Sequence, residues 1–222
     1  MKKTSIIILT LLFLCVIIYL FTEKMSDDKD IKEKSTEQVV KVENDAEMSK
    51  HLSFKGVPIN GTLDEYVKAM EKVGFEKVDN KEGFAELIGD FAGYKNCRIF
   101  VCSLKGVNVV NTITVQFPIA DNWDDLQSNY DKLKAMLTQK YGKPSKVVEE
   151  FQEKGFFAPK TNGEKIHCLI FDRCKWFSVF STAKGDIELS MVKVGISDCS
   201  IVLKYFDKIN TNKVNTSAIN DL

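Results

Sequence analysis

The stretch Val107–Phe117, "VNVVNTITVQF", constrains the fold of this 222-residue chain more than any other. In an extended strand Val107, Val109, Ile113, Val115 and Phe117 point to one side, and Asn108, Thr112, Thr114 and Gln116 to the other. A strand with one apolar and one polar side belongs to a sheet covered on a single face, and such sheets are antiparallel. "CRIFVCSL", "CKWFSVFST", "DIELSMVKV" and "SIVLKYF" read as further strands, with Lys-Gly turns at Lys105-Gly106 and Lys184-Gly185.

Two helices accompany the strands. Trp123, Leu126, Tyr130, Leu133, Leu137 and Tyr141 recur at spacings of three and four, which makes one apolar stripe. Asp121 or Asn122 caps it, Asp124 and Asp125 oppose the helix dipole, and Gly142 with Pro144 stops it. An earlier helix runs from about Leu63 to Val73, opened by the capping box Thr62–Glu65 and closed by Gly74.

The two helical regions share a sequence order. "GVPINGTLDEY" resembles "QFPIADNWDDL", "KVGFEKV" resembles "KYGKPSKV", and "NCRIFV" resembles "RCKWFSV". The expected fold class is therefore α+β: antiparallel sheet(s) with two helices packed on one face, built as a tandem duplication of a strand–helix–strands unit. The halves fall at about 51–106 and 107–206, with "KTNGEKIHCLIFD" inserted in the second as a short helix from about Asn162. In true repeats Cys97 and Cys174 hold equivalent strand positions, and so do Pro58 and Pro118.

"GDFAGYKNCRIFV", "LKAMLTQKYGKPSKVVEEF" and "YFDKIN" resemble an uncharacterised group of exported, membrane-anchored proteins of gut anaerobic bacteria. That resemblance implies an exported body and brings no activity and no site residues. The layout is also loosely similar to the tandem helix-on-sheet folds of β-lactamase-inhibitor proteins and outer-membrane assembly lipoproteins, and a fold carries no function by itself.

The chain opens "MKKTSIIILTLLFLCVIIYLFTEKM". Nineteen uncharged residues separate Lys3 from Glu23, about 28 Å of helix, close to the hydrocarbon thickness of a bilayer. The run Ile6–Phe21 is longer than a signal-peptide core and ends without a small-x-small site. Leu14 stands before Cys15, where a lipoprotein signal needs a small residue. The expectation is an uncleaved anchor over 1–22, against a cleaved signal, a lipoprotein cut at Cys15 or a buried core helix. Lys2 and Lys3 favour a cytoplasmic N-terminus, while Lys24, Lys29, Lys32 and Lys34 lie beyond the other end. A long domain translocates largely regardless of such charges, so the body is expected outside the cytoplasm, in the bacterial envelope. Residues 23–50 are charged and lack aromatics, so they read as a flexible linker, with a short helix around Glu37–Val42 as the competing reading. The α+β domain spans 51–206, and 207–222 reads as a polar, mostly irregular tail.

Lys+Arg and Asp+Glu both total 31, a balance that argues against a general nucleic-acid binder. Catalytic signals are weak. His167 and Cys168 are adjacent, so their side chains point apart, and adjacency is no evidence for a Cys/His pair. His167, Cys168, Cys174 and Cys199 lack the spacing of a zinc knuckle, so no metal is expected. Cys97 and Cys102 face opposite sides of one strand and read, like the other body cysteines, as small buried hydrophobes. If a disulfide exists, it is Cys174–Cys199 or Cys168–Cys174. The acid pairs Asp64-Glu65 and Asp124-Asp125 sit in first helical turns, where dipole compensation accounts for them. Asp207–Asn212, "DKINTN", lacks the central glycine and distal glutamate of a calcium loop and reads as a tail turn. Trp176 and Phe177 point to opposite sides of a strand, one into the core and one outward.

These readings imply a membrane-tethered, non-enzymatic extracytoplasmic domain, without a cofactor, that binds a protein or envelope ligand. The binding face is expected at Asn108, Thr112, Thr114 and Gln116. The alternatives are an enzyme whose site is assembled from distant residues, with cysteine or carboxylate chemistry, and a structural subunit of an envelope assembly.

Overall fold

The computed structural model describes residues 47–103 and 108–220. The expected anchor at 1–22, and all but the last four residues of the expected linker, lie outside the described residues. Among the described residues no helix is long and apolar enough to cross a membrane.

A two-residue hairpin opens the domain, β1 (Ser53–Phe54) with β2 (Val57–Pro58). Its turn, Lys55-Gly56, has positive φ at both residues (52° and 82°), the twist that suits tight hairpins. Helix α1 (Leu63–Lys72) follows, with Thr62 and Glu65 forming the expected capping box. Its stripe Leu63, Tyr66, Val67 and Met70 is buried. Four strands then run as a meander: β3 (Glu76–Lys81), β4 (Phe84–Phe91), β5 (Tyr94–Ser103) and β6 (Val110–Gln116). Helix α2 (Trp123–Tyr141) is capped by Asn122, whose side chain accepts from the Asp125 amide, and Gly142 ends it with φ +86°. The second meander is β7 (Lys146–Phe151), β8 (Cys174–Thr182), β9 (Gly185–Lys193) and β10 (Cys199–Asp207). A 3-10 turn (Gly155–Phe157) and helix α3 (Asn162–Ile170) are inserted between β7 and β8. Helix α4 (Lys208–Asn220) ends the described chain.

The eight longer strands form one antiparallel sheet in the order β3-β4-β5-β6-β10-β9-β8-β7. The fold is thus α+β. The meanders join through their last strands, with Val202 opposite Gln116 and Phe206 opposite Thr112. Register continues across the seam. Ala85, Val101, Ile113, Tyr205, Ile187 and Phe180 stand in one cross-strand row, and all six are buried. Helix α1 packs against β3–β5, and α2 against β8–β10. Trp123, 1% exposed, packs edge-on against Trp176 at 4.9 Å and tilted against Phe151 at 5.2 Å. The Tyr130 hydroxyl reaches Ser178 Oγ at 2.7 Å, which satisfies two polar groups inside the core.

Three expectations change. First, the tail is a helix. Asp207 caps α4 by accepting from the Asn210 amide (2.9 Å), and the buried Asn210 Nδ2 donates to Ile59 O and Val110 O, both at 3.0 Å. Tertiary bonds to a polar side chain hold this helix, so no apolar stripe announces it. Second, His51, the first residue of the expected domain, is joined to Asp207, the first residue of the expected tail. Its side chain is fully buried and its Nδ1 lies 3.0 Å from Asp207 Oδ1, while Asp207 Oδ2 accepts from the Leu52 amide at 2.8 Å. Third, the boundary at 106/107 separates β6 from its own meander, which ends at Gln116. Cys97 lies on the third strand of the first meander and Cys174 opens the second strand of the second, so the two are not equivalent. Pro58 and Pro118 do hold comparable places, each five residues before a helix start.

Replacing His51 by Ala leaves Asp207 buried with a partner lost, and is expected to cost about 3 kcal/mol. Glu76→Ala on the exposed outer strand is expected to cost under about 0.5 kcal/mol. Urea denaturation of both variants checks this, and equal midpoints would refute it. The capping carboxyls of Glu65 and Glu164 are held below their usual 4.5, first by bonds from the backbone amides of Thr62 and Thr161. A lowered carboxyl stabilises fully above its unfolded value and loses that contribution as pH falls through its folded value. The melting temperature should therefore drop on acidification below about pH 4.5, and the double variant Glu65→Gln, Glu164→Gln should show a shallower drop in thermal melts.

Candidate functional site

The polar side of the sheet is built by the same register that builds the core. Three rows cross it on the face opposite α1 and α2. One runs Lys146, Val179, Glu188, Lys204, Thr114, Phe100, Glu86 and Asp79, one residue from each of the eight strands. Beside it stand Val148, Phe177, Ser190, Val202, Gln116, Arg98 and Ile88. On the other side stand Ser181, Asp186, Phe206, Thr112, Cys102 and Phe84.

Thr112, Thr114 and Gln116 therefore occupy the middle of this face, on the strand next to the seam. Asn108 does not join them. It precedes β6, is exposed, and has φ +46°. A register shift between Cys102 and Ser103 resets the alternation, so Val110 rather than Val109 is the buried residue.

Aromatic rings interrupt the polar rows. Phe84 and Phe100 stack at 5.8 Å, Arg98 lies over the Phe100 ring at 5.3 Å, and Arg98 Nε donates to Glu86 at 2.7 Å. Lys146 lies over Phe177 at 5.3 Å. Phe177 is thus the outward member of its pair, and Trp176 packs inward. The end of α3 and the start of α4 add walls to the face. Leu169 and Ile170 border a hollow of about 520 Å³ that also takes in Phe177, Ser190 and Lys204. Lys208 and Thr211 border one of about 400 Å³ with Asp186 and Phe206. The Ser190 hydroxyl is buried and has no hydrogen-bond partner among the described residues. The faces of the strand Val107–Phe117 pointed to this region, but the aromatic residues emerge only once the strand register is known.

The cysteine candidates other than Cys102 lie elsewhere. His167 Nδ1 accepts from Arg173 Nη2 at 2.7 Å, Arg173 Nη1 donates to Glu153 at 3.0 Å, and the Cys168 thiol points at Glu153 at 3.8 Å. His167 thus contacts an arginine, not a thiol. Burial, with Glu153 close by, pushes the Cys168 thiol up. Burial likewise pushes Cys174 up to about 12 and Cys97 to about 11, and raises Cys102 and Cys199. Thiols shifted upward hold little thiolate near neutral pH, the opposite of what a nucleophile needs. All five are free. β9 lies between β8 and β10, so Cys174 and Cys199 sit two strand spacings apart, about 9.5 Å, beyond the reach of a disulfide.

The acid pairs are helix caps or hold neighbouring segments. Glu65 bonds its own cap, Asp64 accepts from Asn80 at 2.9 Å, and Asp124 accepts from Asn162 at 2.7 Å, tying α3 to the start of α2. Among the described residues no group of three His, Cys, Asp or Glu side chains is placed to hold a metal ion. Asp207–Asn212 forms the cap and first turn of α4, not a tail turn. In comparisons with known proteins the chain matches no family, no curated protein and no solved structure.

Alkylation of the native protein, read residue by residue by mass spectrometry, should modify Cys97, Cys168, Cys174 and Cys199 slowly near neutral pH. Urea should make all four react at the rate of a free thiol. Rapid native labelling of Cys168 would show an activated thiol and reopen the enzyme reading.

Proposed function

We propose that this chain is a membrane-tethered, extracytoplasmic, non-enzymatic domain. In this reading its open sheet face binds a protein or envelope ligand. The observation that carries the reading is the set of three rows, in which hydroxyl, amide, charged and aromatic side chains stand together on a face with hollows at α3 and α4. Such a mixture offers both hydrogen bonds and apolar area to a partner, and aromatic residues dominate the energetics of most interfaces. Thr112, Thr114 and Gln116 are the centre of the proposed contact, with Phe100, Phe177 and Lys204 around them. The raised thiols favour binding over cysteine chemistry.

The apolar run Ile6–Phe21 is the proposed tether, and the charged residues after it are the proposed spacer, with the body in the bacterial envelope. A tandem duplication is part of the same proposal. Its support is the repeated order of helix and four-stranded meander, together with the matching places of Pro58 and Pro118. The equivalence is of strand order, not of the cysteines.

Lysine labelling tests the binding face. Cell-envelope extract is expected to protect Lys204 and Lys146 from acylation and leave Lys132 and Lys140 on α2 unchanged. The opposite pattern would move the contact to the helices. Resistance of the full chain to carbonate extraction, with an intact mass that includes Met1 or begins at Lys2, checks the tether; a chain starting between Ser5 and Asp30 would overturn it.

A further inference from the structure

All the described connections at one end of strands β6–β10 carry exposed apolar side chains. Ile119 follows β6 and is 52% exposed, Ile196 joins β9 to β10 at 92%, and Phe171 precedes β8 at 59%. Phe156 and Phe157 follow β7 at 83% and 80%. Because the strand order is β6-β10-β9-β8-β7, these residues follow one another across about 19 Å, four strand spacings. Soluble surfaces seldom gather large apolar residues in this way without a use for them.

The Phe156–Phe157 pair is held up by a built base. Arg173 ties Glu153 on one side of the turn to His167 on α3. On the other side the Glu164 carboxylate accepts from the amides of Lys160 and Thr161 and fixes the start of α3. The two rings meet edge-on at 5.6 Å, and Lys160 lies over Phe156 at 5.1 Å. The two phenylalanines also form one wall of a hollow of about 610 Å³, whose other borders include Gly163, His167, Cys168 and Arg173.

We infer that this end of the sheet is where a second copy of the chain docks. A two-fold contact uses one patch twice, so it needs a projection and a recess side by side on that patch. The Phe156–Phe157 pair, exposed over most of its surface, and the hollow it walls against Gly163, His167 and Arg173 meet that need. Charge is compatible. The connecting segments 117–122, 152–173 and 194–198 hold five acidic and four basic side chains, so copies do not repel, and an anionic bilayer gains little from them. Area is compatible too. Two phenylalanines at this exposure, with Phe171, Ile119 and Ile196, present roughly 500–600 Å² of apolar surface per copy, against about 800 Å² per partner in a standard interface that includes its polar rim. This inference does not depend on the proposed ligand face.

Cysteine cross-linking in membranes of cells expressing the full chain tests it. Phe157→Cys and Ile196→Cys, treated with a bismaleimide, should each give a band at twice the monomer mass that contains peptides of this chain alone. Thr114→Cys, on the open sheet face, should give none. Adding Phe156→Asp to Ile196→Cys should reduce its band at least tenfold while leaving the melting temperature unchanged. Absence of the doubled band, equal bands at Thr114→Cys, or an adduct of another mass would each overturn the inference. Quenching of a Phe157→Trp variant by brominated lipid would do so as well, by placing the patch in the bilayer.

Discussion

The pairing of β6 with β10 is the contact on which the rest of the structure depends. Each meander ends in one of these strands, and neither has enough strands to cover two helices and a shared core. Once Gln116 faces Val202 and Thr112 faces Phe206, every inward position in one half lines up with an inward position in the other. Side chains in a strand alternate with a period of two, so a slip of one residue here would turn one meander inside out. With the first meander turned, Ile113 would face water and Thr114 would face the core, opposite an unchanged Tyr205 and Lys204. The strong specification of this seam explains why both sides of the sheet are continuous across the junction.

What was legible in the sequence follows from how local the cause is. The caps of α1 and α2 and the stripe of α2 depend on neighbours within a turn or two, and the chain displays them openly. The outward Thr112–Thr114–Gln116 row is also local, because alternation needs only one strand. Asn108 fell on the wrong side of that logic. A register shift belongs to the pair of strands, not to either alone, and periodicity in β6 cannot reveal it. Helix α4 was invisible for a related reason. Its support is the Asp207 cap and the Asn210 side chain bonded to Ile59 and Val110, partners at least one hundred residues away.

The recurring order of helix and meander shows how an apparent match misleads in detail. "NCRIFV" and "RCKWFSV" look alike because each carries a buried cysteine followed by a strand that mixes buried and more exposed positions, and such strands draw on few residue types. Their places differ because the insertion that carries α3 interrupts the second meander after its first strand. The order helix-then-four-strands survives this interruption, while residue-by-residue correspondence does not. The same insertion supplies the exposed Phe156 and Phe157 and the thiol of Cys168, so it is also where the two halves differ most in surface chemistry.

The junction of His51 with Asp207 has a mechanical consequence. It brings the start of the folded domain within one hydrogen bond, 3.0 Å, of the end of its last strand, and the small β1–β2 hairpin follows directly. A pull applied at residue 51 would load that bond and the hairpin first. The eight-stranded sheet would carry little of the force until they had yielded. Both broad surfaces of the sheet would keep their shape in the meantime.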